Sequence, residues 1–313
     1  MRLVTFKSQS GEPHVGVVRG QEIIDLTLWL PHQEPVLLAD FDMVDLIAAI
    51  PEVWSQVSAA LEANEIALKG ADALVPMDES RLLAPIYRPR KNVFCLGRNY
   101  AEHAAESSRA FGEAAATLAP PQVPQYPAIF TKATTTINAP YGEIPYDPQV
   151  TEQLDWEAEL AIVIGKAGKN IKREDAMSHI FGYMVLNDVS ARDIQKRHGA
   201  QFFKGKSLDG TCPIGPWIVT AGEIEDPDNL ELWTRVNGVE KQHDNTSSML
   251  IDVRGIIEAL SLGMTLEPGD IIATGTPAGV GFARTPPEYL QPGDVVECEV
   301  EKIGVIRNGV AEA

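Results

Sequence analysis

Cysteine is scarce in this sequence, and no pair of cysteines predicts a disulfide or a thiolate metal site. The 313 residues include three cysteines, Cys95, Cys212 and Cys298, which lie far apart and form no CxxC motif. An odd number of widely separated cysteines fits neither a small secreted scaffold nor a structural zinc site. The pattern favours a reducing compartment, and we predict a cytoplasmic protein.

Long hydrophobic runs are also missing. No uninterrupted apolar stretch approaches the ~20 residues of a membrane-spanning helix. Residues 1–7 are followed by the polar segment Ser-Gln-Ser-Gly-Glu-Pro, which offers no apolar core for a signal peptide. We therefore expect no membrane association.

Basic residues are too few to balance the acidic ones. Lys and Arg total 26 against 44 Asp and Glu, giving a formal net charge of −18. Such a charge repels nucleic-acid phosphates and anionic lipid surfaces, so a nucleic-acid partner is not expected. A small anionic ligand remains compatible where local cations or a bound metal reverse the field.

Glycine and proline, in contrast, are plentiful. The chain has 25 glycines and 22 prolines, a content that makes turns frequent and favours short strands over long helices. Apolar runs bounded by turn residues predict strands at 2–7, 15–18, 23–26, 92–96, 128–131, 154–164, 181–186, 217–220, 232–236, 271–274 and 295–300. We predict an α+β fold that is mainly β, and disfavour a doubly wound sheet.

Few segments have helical spacing, and one connector suggests a domain boundary. Helices are predicted at 174–179 and 249–262, with two more in residues 41–61, where Pro51 interrupts the pattern. An irregular, proline-containing connector follows at residues 81–89. We predict a small N-terminal α/β domain, residues 1–80, and a larger domain, residues 81–313, that carries the candidate chemistry.

Carboxylates cluster on one predicted strand. Alternation along residues 154–164 places Asp155, Glu157 and Glu159 on one face. Adjacent glutamates repel each other unless a cation lies between them, although an edge strand with its acidic face in water would give the same pattern. Asp188, which closes another apolar run, supplies a third carboxylate, and such a set suits Mg²⁺ or Mn²⁺ better than zinc.

A histidine and a glutamate follow the predicted strand at 92–96 at helical spacing. His103 and Glu106 are three residues apart, so on a helix they share a face and Glu106 can orient the imidazole as a general base. Exposed pairs of this kind are also common on helix surfaces without a function. Placement directly after a strand and a turn favours the catalytic interpretation.

Cations and small residues occur in three further segments. Lys204 and Lys206 lie beside glycine turns, where either can balance a substrate carboxylate or simply face solvent. A short capped helix after Asp188 presents Arg192 and Gln195. The glycine-rich residues 274–281 lack the ending of a phosphate loop, so we interpret them as allowing the backbone and the Thr276 hydroxyl to approach a ligand.

One long segment carries no strand or helix pattern. Residues 107–127 are alanine-rich and then proline-rich. Structureless loops of more than ~12 residues in compact domains are often functional. A closing lid and an inert surface loop both remain open interpretations of this segment.

Five motifs in a fixed order resemble the fumarylacetoacetate hydrolase family. They are GRNYAEHAAE from Gly97, LDWEAELAIVIGK from Leu154, GYMVLNDVSARDIQ from Gly182, KGKSLDGTCPIGPW from Lys204 and PGDIIATGTPAGVG from Pro268. The resemblance covers residues 91–313. It implies a distorted roll of mixed β-strands, preceded by a small variable N-terminal domain, and commonly a homodimer.

The resemblance also implies roles for individual residues. Glu157, Glu159 and Asp188 would hold Mg²⁺ or Mn²⁺ in a three-carboxylate site of the bacterial type. His103 and Glu106 would activate water, and Lys206 would stabilise the developing negative oxygen. The residues implied to contact substrate are Arg98, Lys132, Arg192, Gln195 and Thr276.

These roles predict a metal-dependent hydrolase. It would cleave a carbon–carbon bond of a 2,4-dioxo acid through a metal-stabilised enolate and water activated by His103. The same platform can isomerise or decarboxylate a 2-oxo diacid, as in the catabolism of aromatic compounds, because both reactions pass through the same enolate. A non-catalytic binding module on this fold is the third alternative. The expected partner is a small anionic 2-oxo or 2,4-dioxo acid.

Overall fold

The computed structural model describes residues 1–110, 126–199 and 201–313. Strands predominate over helices in this part of the chain. In chain order the strands are β1 (Arg2–Lys7), β2 (Pro13–Arg19), β3 (Glu22–Asp25), β4 (Leu74–Pro76), β5 (Leu82–Leu83), β6 (Val93–Gly97), β7 (Ala128–Lys132), β8 (Ile137–Asn138), β9 (Ile144–Tyr146), β10 (Leu154–Asp155), β11 (Ala158–Ile164), β12 (Gly168–Lys169), β13 (Ile180–Asn187), β14 (Ser190–Ala191), β15 (Cys212–Thr220), β16 (Glu231–Val236), β17 (Val239–Asn245), β18 (Thr265–Leu266), β19 (Ile271–Ala273), β20 (Val295–Val300) and β21 (Gly304–Glu312).

The α-helices are short and lie between the strands. They are α1 (Leu26–Trp29), α2 (Met43–Ile47), α3 (Pro51–Glu62), α4 (Glu65–Gly70), α5 (Ala101–Ala110), α6 (Arg192–Arg197) and α7 (Val253–Ser261). Pro51 begins α3, where its missing N–H costs nothing, and this confirms the two helices predicted for residues 41–61. The helix predicted at 174–179 is a 3₁₀ helix, Ala176–His179.

The described residues form two large sheets and two small two-stranded sheets, β10-β14 and β12-β18. The larger has twelve strands with the order β4-β3-β2-β1-β15-β13-β11-β19-β6-β7, with β5 added at β1 and β8 at β15. The smaller has the order β17-β16-β20-β21-β9. This mainly β architecture confirms the predicted fold class.

Strand β11 lies in the interior of the larger sheet. It pairs antiparallel with β13 on one side and β19 on the other, and all seven of its residues are buried. Leu160 and Ile162 enter the core that packs against the smaller sheet, whereas Ala161 and Val163 enter a second core shared with the N-terminal helices. Both faces of β11 are therefore covered, which explains its nearly continuous apolar sequence.

The N-terminal strands belong to the same large sheet. Strand β1 pairs antiparallel with β15, with Arg2 opposite Val219 and Leu3 opposite Ile218. The second core contains residues from both sides of position 80, for example Leu26 and Ile214. The boundary near residue 80 stays a prediction, and hydrogen-bonded sheet runs across it.

Within the described residues, no helix is both long and apolar enough to cross a membrane.

Candidate active site

A small cavity opens where β6, β11 and α6 approach one another. Its walls contain most of the charged residues that the sequence singled out, together with apolar side chains. The lining residues are Leu96, Gly97, Arg98, His103, Ser107, Phe130, Glu157, Glu159, Arg192, Gln195, Phe202, Lys206 and Thr276.

The acidic residues at the start of β11 face inward. Asp155, Glu157 and Glu159 are exposed by 0%, 4% and 1%, so the interpretation as a solvated edge strand is wrong. The predicted strand at 154–164 is interrupted, because β10 ends at Asp155 and β11 begins at Ala158. In the interruption, Glu157 accepts the Asp188 N–H at its backbone carbonyl (2.9 Å). Its own N–H donates to the Asn187 side chain at 3.0 Å.

Three carboxylates converge at this point. Glu157, Glu159 and Asp188 each offer an oxygen, and these oxygens lie within 4.8 Å of one another. Asp188 follows the end of β13, the neighbour of β11, which brings it to the two glutamates although 29 or more residues separate them in the chain. The predicted acidic triad is thus assembled by one strand pair.

Three buried cations, Lys132, Arg192 and Lys206, surround these carboxylates. Lys206 Nζ donates to Glu157 Oε2 at 2.6 Å and to Asp188 Oδ2 at 2.7 Å. Arg192 bridges Asp155 Oδ2 (2.8 Å) and Glu157 Oε1 (2.6 Å). The site therefore has local positive charge, although the protein as a whole is strongly acidic.

The cations act unequally on the two glutamates. Burial opposes the charge on Glu157, but Lys206 and Arg192 outweigh it and lower the pKa of Glu157 below its ordinary range. Burial, together with the neighbouring Asp188 and Glu157, raises the pKa of Glu159 well above its usual value. An added cation beside Glu159 would therefore favour its charged form.

The triad fits a hard divalent metal. Its ligands are all oxygens, its side chains are buried, and burial together with the neighbouring carboxylates opposes the negative charge of Glu159. Asp188 Oδ1 has no hydrogen-bond partner among the described residues apart from its ion pair with Lys132 Nζ. Mg²⁺ and Mn²⁺ prefer such carboxylate sets.

The predicted His–Glu pair forms on α5. His103 Nδ1 lies 2.9 Å from Glu106 Oε1, and both side chains are largely buried, which contradicts the interpretation as surface decoration. Glu106 also accepts the Gly279 N–H, at 3.1 Å to each carboxylate oxygen. The second ring nitrogen, Nε2, lies 3.3 Å from Ser107 Oγ. Because Glu106 occupies Nδ1, Nε2 is the nitrogen available for proton transfer.

Helix α6 presents Arg192 and Gln195 to the cavity, as predicted. Arg192 Nη1 donates to Gln195 Oε1 at 3.1 Å. The predicted side-chain cap is absent: the helix begins after Ala191, which has no side-chain capping bond, and Ser190 donates instead to the Asp188 carbonyl.

Lys132 is not among the residues that line the cavity, and its implied role as a substrate contact stays a prediction. The side chain is fully buried, its Nζ is 2.9 Å from Asp188 Oδ1, and it donates to the Val189 carbonyl at 3.1 Å. Lys132 therefore contacts Asp188 from outside the cavity wall. Of the two lysines left open by the sequence, Lys206 enters the site and Lys204 is exposed.

The residues 274–281 approach the site closely. Gly275 N–H donates to Glu159 Oε2 at 2.7 Å. Thr276 Oγ1 donates to the Ala158 carbonyl at 2.9 Å and accepts from Gln242 Nε2 at 2.9 Å. Sequence analysis missed Gln242, because it lies on β17 of the smaller sheet and no local motif marks it.

Arg98 lies in the cavity wall with a backbone φ of +57°. That left-handed conformation is unusual outside glycine and is often found at functional sites. The neighbouring Asn99 side chain holds the turn by bonding the Thr274 carbonyl (2.8 Å) and the Ile251 N–H (2.9 Å). The segment 107–127, for which a closing lid and an inert surface loop are both open interpretations, lies for the most part (residues 111–125) outside the described residues.

Comparison with known proteins identifies the family. Residues 92–311 match the family described as "Fumarylacetoacetate (FAA) hydrolase C-terminal". The match spans more than half of the chain, and the chain belongs to the fumarylacetoacetate hydrolase family. The resemblance found in the five motifs is thereby confirmed.

The relatives of this chain are named for different activities. Oxaloacetate tautomerase YisK of Bacillus subtilis (strain 168) is 45% identical over 269 residues, which cover 85% of this chain and 86% of YisK. A fumarylacetoacetate hydrolase from Exiguobacterium antarcticum is 39% identical with a TM-score of 0.78, covering 100% of both chains. Maleylpyruvate hydrolase from Sphingobium sp. SYK-6, solved with manganese (II) ion and pyruvate, is 30% identical with a TM-score of 0.73, also covering 100% of both.

Proposed function

We propose that this protein is a metal-dependent enzyme that interconverts the keto and enol forms of oxaloacetate or a closely similar 2-oxo diacid. The observation that carries the proposal is the juxtaposition of a three-carboxylate metal site with a buried His–Glu pair in one small cavity. The 45% identity to an oxaloacetate tautomerase supports this choice of reaction. The proposal develops the isomerase alternative and places it ahead of hydrolysis.

Glu157, Glu159 and Asp188 would hold the metal, Mg²⁺ or Mn²⁺. When bound there, a divalent cation supplies Lewis acidity that favours negative charge on a substrate oxygen. The manganese in the Sphingobium maleylpyruvate hydrolase supports Mn²⁺ as one of the two ions.

His103 carries the proton in this mechanism. With Nδ1 held by Glu106, the Nε2 atom can take a proton from C3 of the keto acid, and the C2 oxygen then gains a proton from the imidazolium or from solvent; the reverse transfers convert the enol to the keto acid. The carboxylate of Glu106 stabilises the imidazolium that forms. Its own position is fixed by the Gly279 N–H.

The cavity also explains how a protein of charge −18 binds an acid. Arg192 and Lys206 line the wall, and their ion pairs with Asp155, Glu157 and Asp188 fix them in place. Lys206 remains charged, since Asp188 and Glu157 outweigh burial and raise its pKa. These groups orient a carboxylate and balance a developing negative oxygen.

Hydrolysis of a carbon–carbon bond in a 2,4-dioxo acid is the second candidate. It needs a base beside a water molecule, and the His103–Glu106 pair meets that requirement. The similarity to maleylpyruvate hydrolase supports it. Decarboxylation of oxaloacetate would use the same enolate, and a place in aromatic-compound catabolism, a homodimer and a cytoplasmic location remain proposals.

One set of assays separates these reactions. The purified protein is mixed with oxaloacetate in Mg²⁺, in Mn²⁺ and in EDTA, and the enol absorbance is followed together with pyruvate formation. Metal-dependent acceleration of the enol absorbance change without pyruvate supports the tautomerase. Stoichiometric pyruvate from oxaloacetate establishes the decarboxylase, and pyruvate from acylpyruvates establishes the hydrolase. Absence of all three activities in a protein that binds metal would favour the non-catalytic alternative.

A further inference from the structure

Gln242 has a fixed amide orientation in the wall behind the active site. Its Oε1 accepts the Ala158 N–H at 3.1 Å, and its Nε2 donates to the Pro277 carbonyl at 2.8 Å. A backbone N–H can only donate and a backbone carbonyl can only accept, so the amide cannot be turned over. Thr234 Oγ1 donates to the same Oε1 at 2.6 Å, and the side chain is 2% exposed.

This orientation determines the polarity of the Thr276 hydroxyl. Gln242 Nε2 donates to Thr276 Oγ1, which uses one of its two lone pairs. The hydroxyl proton goes to the Ala158 carbonyl, which can only accept. Thr276 therefore has no proton left to offer and one lone pair still unused.

Thr276 also lines the cavity beside the metal carboxylates. Ala158, to which both Thr276 and Gln242 are bonded, lies between Glu157 and Glu159 in the chain. The same backbone segment that carries the two glutamates therefore fixes the hydroxyl. Because its proton is bonded to the Ala158 carbonyl, the Thr276 hydroxyl can offer only an acceptor to a ligand in this cavity.

We infer that Thr276, polarised by Gln242, is a specificity-determining residue that accepts a hydrogen bond from a hydroxyl group of the ligand. Gln242 is the positioning residue in this arrangement. The inference rests on the proposed function and deepens it, because an enol has an O–H to donate at C2 and the keto form has none. A keto oxygen would face the lone pair of Thr276 without a proton between them, so the site distinguishes the two tautomers.

The test uses two unreactive diacids and does not depend on turnover. Malate carries a hydroxyl at C2 and succinate has none, and titration calorimetry of the Mg²⁺-loaded protein measures the ratio of their affinities. The wild-type protein is expected to prefer malate, and Thr276→Val is expected to reduce that preference about five-fold, the value of one net hydrogen bond. Thr276→Ser restores the acceptor and is expected to keep the preference within about two-fold of wild type.

Gln242→Met tests the positioning role, with Gln149→Met on the surface as a matched control. Without the amide, only the Ala158 carbonyl orients the Thr276 hydroxyl, which can then turn its proton toward the ligand. The preference for malate is therefore expected to fall while Mg²⁺ binding persists. A preference that survives Gln242→Met, in a variant with a lower melting temperature, means that Gln242 is structural only and overturns its role.

Two results overturn the inference about Thr276. One is a malate preference that is unchanged in Thr276→Val. The other is equal or undetectable binding of malate and succinate by the wild-type protein. Failure of the proposed function looks different: the malate preference depends on Thr276, yet the protein does not accelerate the tautomerisation of oxaloacetate.

Discussion

Lys132 Nζ lies 2.9 Å from Asp188 Oδ1, and both side chains are fully buried. The other carboxylate oxygen receives a hydrogen bond from Lys206 Nζ at 2.7 Å. One metal-site carboxylate is therefore held between two ammonium groups, one in the cavity wall and one behind it. Of the two lysines, Lys206 lines the cavity and Lys132 does not.

Replacement of Lys132 by methionine is expected to destabilise the protein by about 3 kcal/mol, since removing one partner leaves a buried charge less compensated. Urea unfolding in EDTA measures the change. Lys204→Met, at an exposed position, serves as the control and is expected to stay within about 0.5 kcal/mol of wild type. A cost as small as that of the control would show that the ion pair contributes little.

Glu159→Gln is expected to weaken Mg²⁺ or Mn²⁺ binding by roughly 100-fold or more, because a ligand carboxylate is lost. In EDTA the same variant should melt at a higher temperature than wild type, since Glu159 is repelled by Asp188 and Glu157. Calorimetric titration and thermal melting give the two values. Glu52→Gln, on the surface, should change neither, and retention of full metal affinity in Glu159→Gln would remove this residue from the site.

His103→Ala is expected to lower the rate of oxaloacetate tautomerisation by about 10²–10⁴-fold, the usual contribution of a positioned proton donor and acceptor. Metal affinity should remain nearly unchanged, because His103 contacts Glu106 and Ser107 and not the three carboxylates. Stopped-flow absorbance of the enol and calorimetry measure the two properties, with the exposed His32→Ala as control. Loss of both together would mean that the pair is structural.

The three cysteines are expected to resist alkylation in the native protein. Burial raises the pKa of Cys212 and of Cys298 to about 12, and that of Cys95 well above its ordinary value. Because the thiolate is the reactive form, native protein at pH 8 should show almost no reaction with a thiol reagent. Unfolded protein should react at three sites per chain. Rapid labelling of one thiol in the native state would locate an opening that exposes it.

Local patterns were sufficient for the parts of the structure that depend on local order. The strand at 295–300 was predicted with its observed limits, and the spacing of His103 and Glu106 predicted their contact on one helix. The carboxylates of the triad were found because strand alternation and a third acidic residue are both visible in the sequence. The burial of these carboxylates could not be predicted, since it depends on the position of β11 inside the larger sheet.

Residues that act across the fold escaped prediction. Gln242 is 34 positions from Thr276 and lies in a different sheet, so no periodicity links the two. The contact of Lys132 with Asp188 was not predicted, because a single sequence does not say which carboxylate a distant lysine reaches. The segment predicted as one continuous strand is divided into β10 and β11, which pair with different strands, with Trp156 and Glu157 between them.

The pairing of β1 with β15 limits how this protein can be recombined with its relatives. An exchange of the first 80 residues would transfer a set of strands whose neighbours stay behind, with Arg2 opposite Val219 and Leu3 opposite Ile218. A chimera would fold without an exposed strand edge only if the incoming segment reproduced that register, since a mismatch leaves an unpaired edge that other chains can extend. Segments 1–80 and 81–313 are therefore expected to fold as a matched pair and not as interchangeable modules.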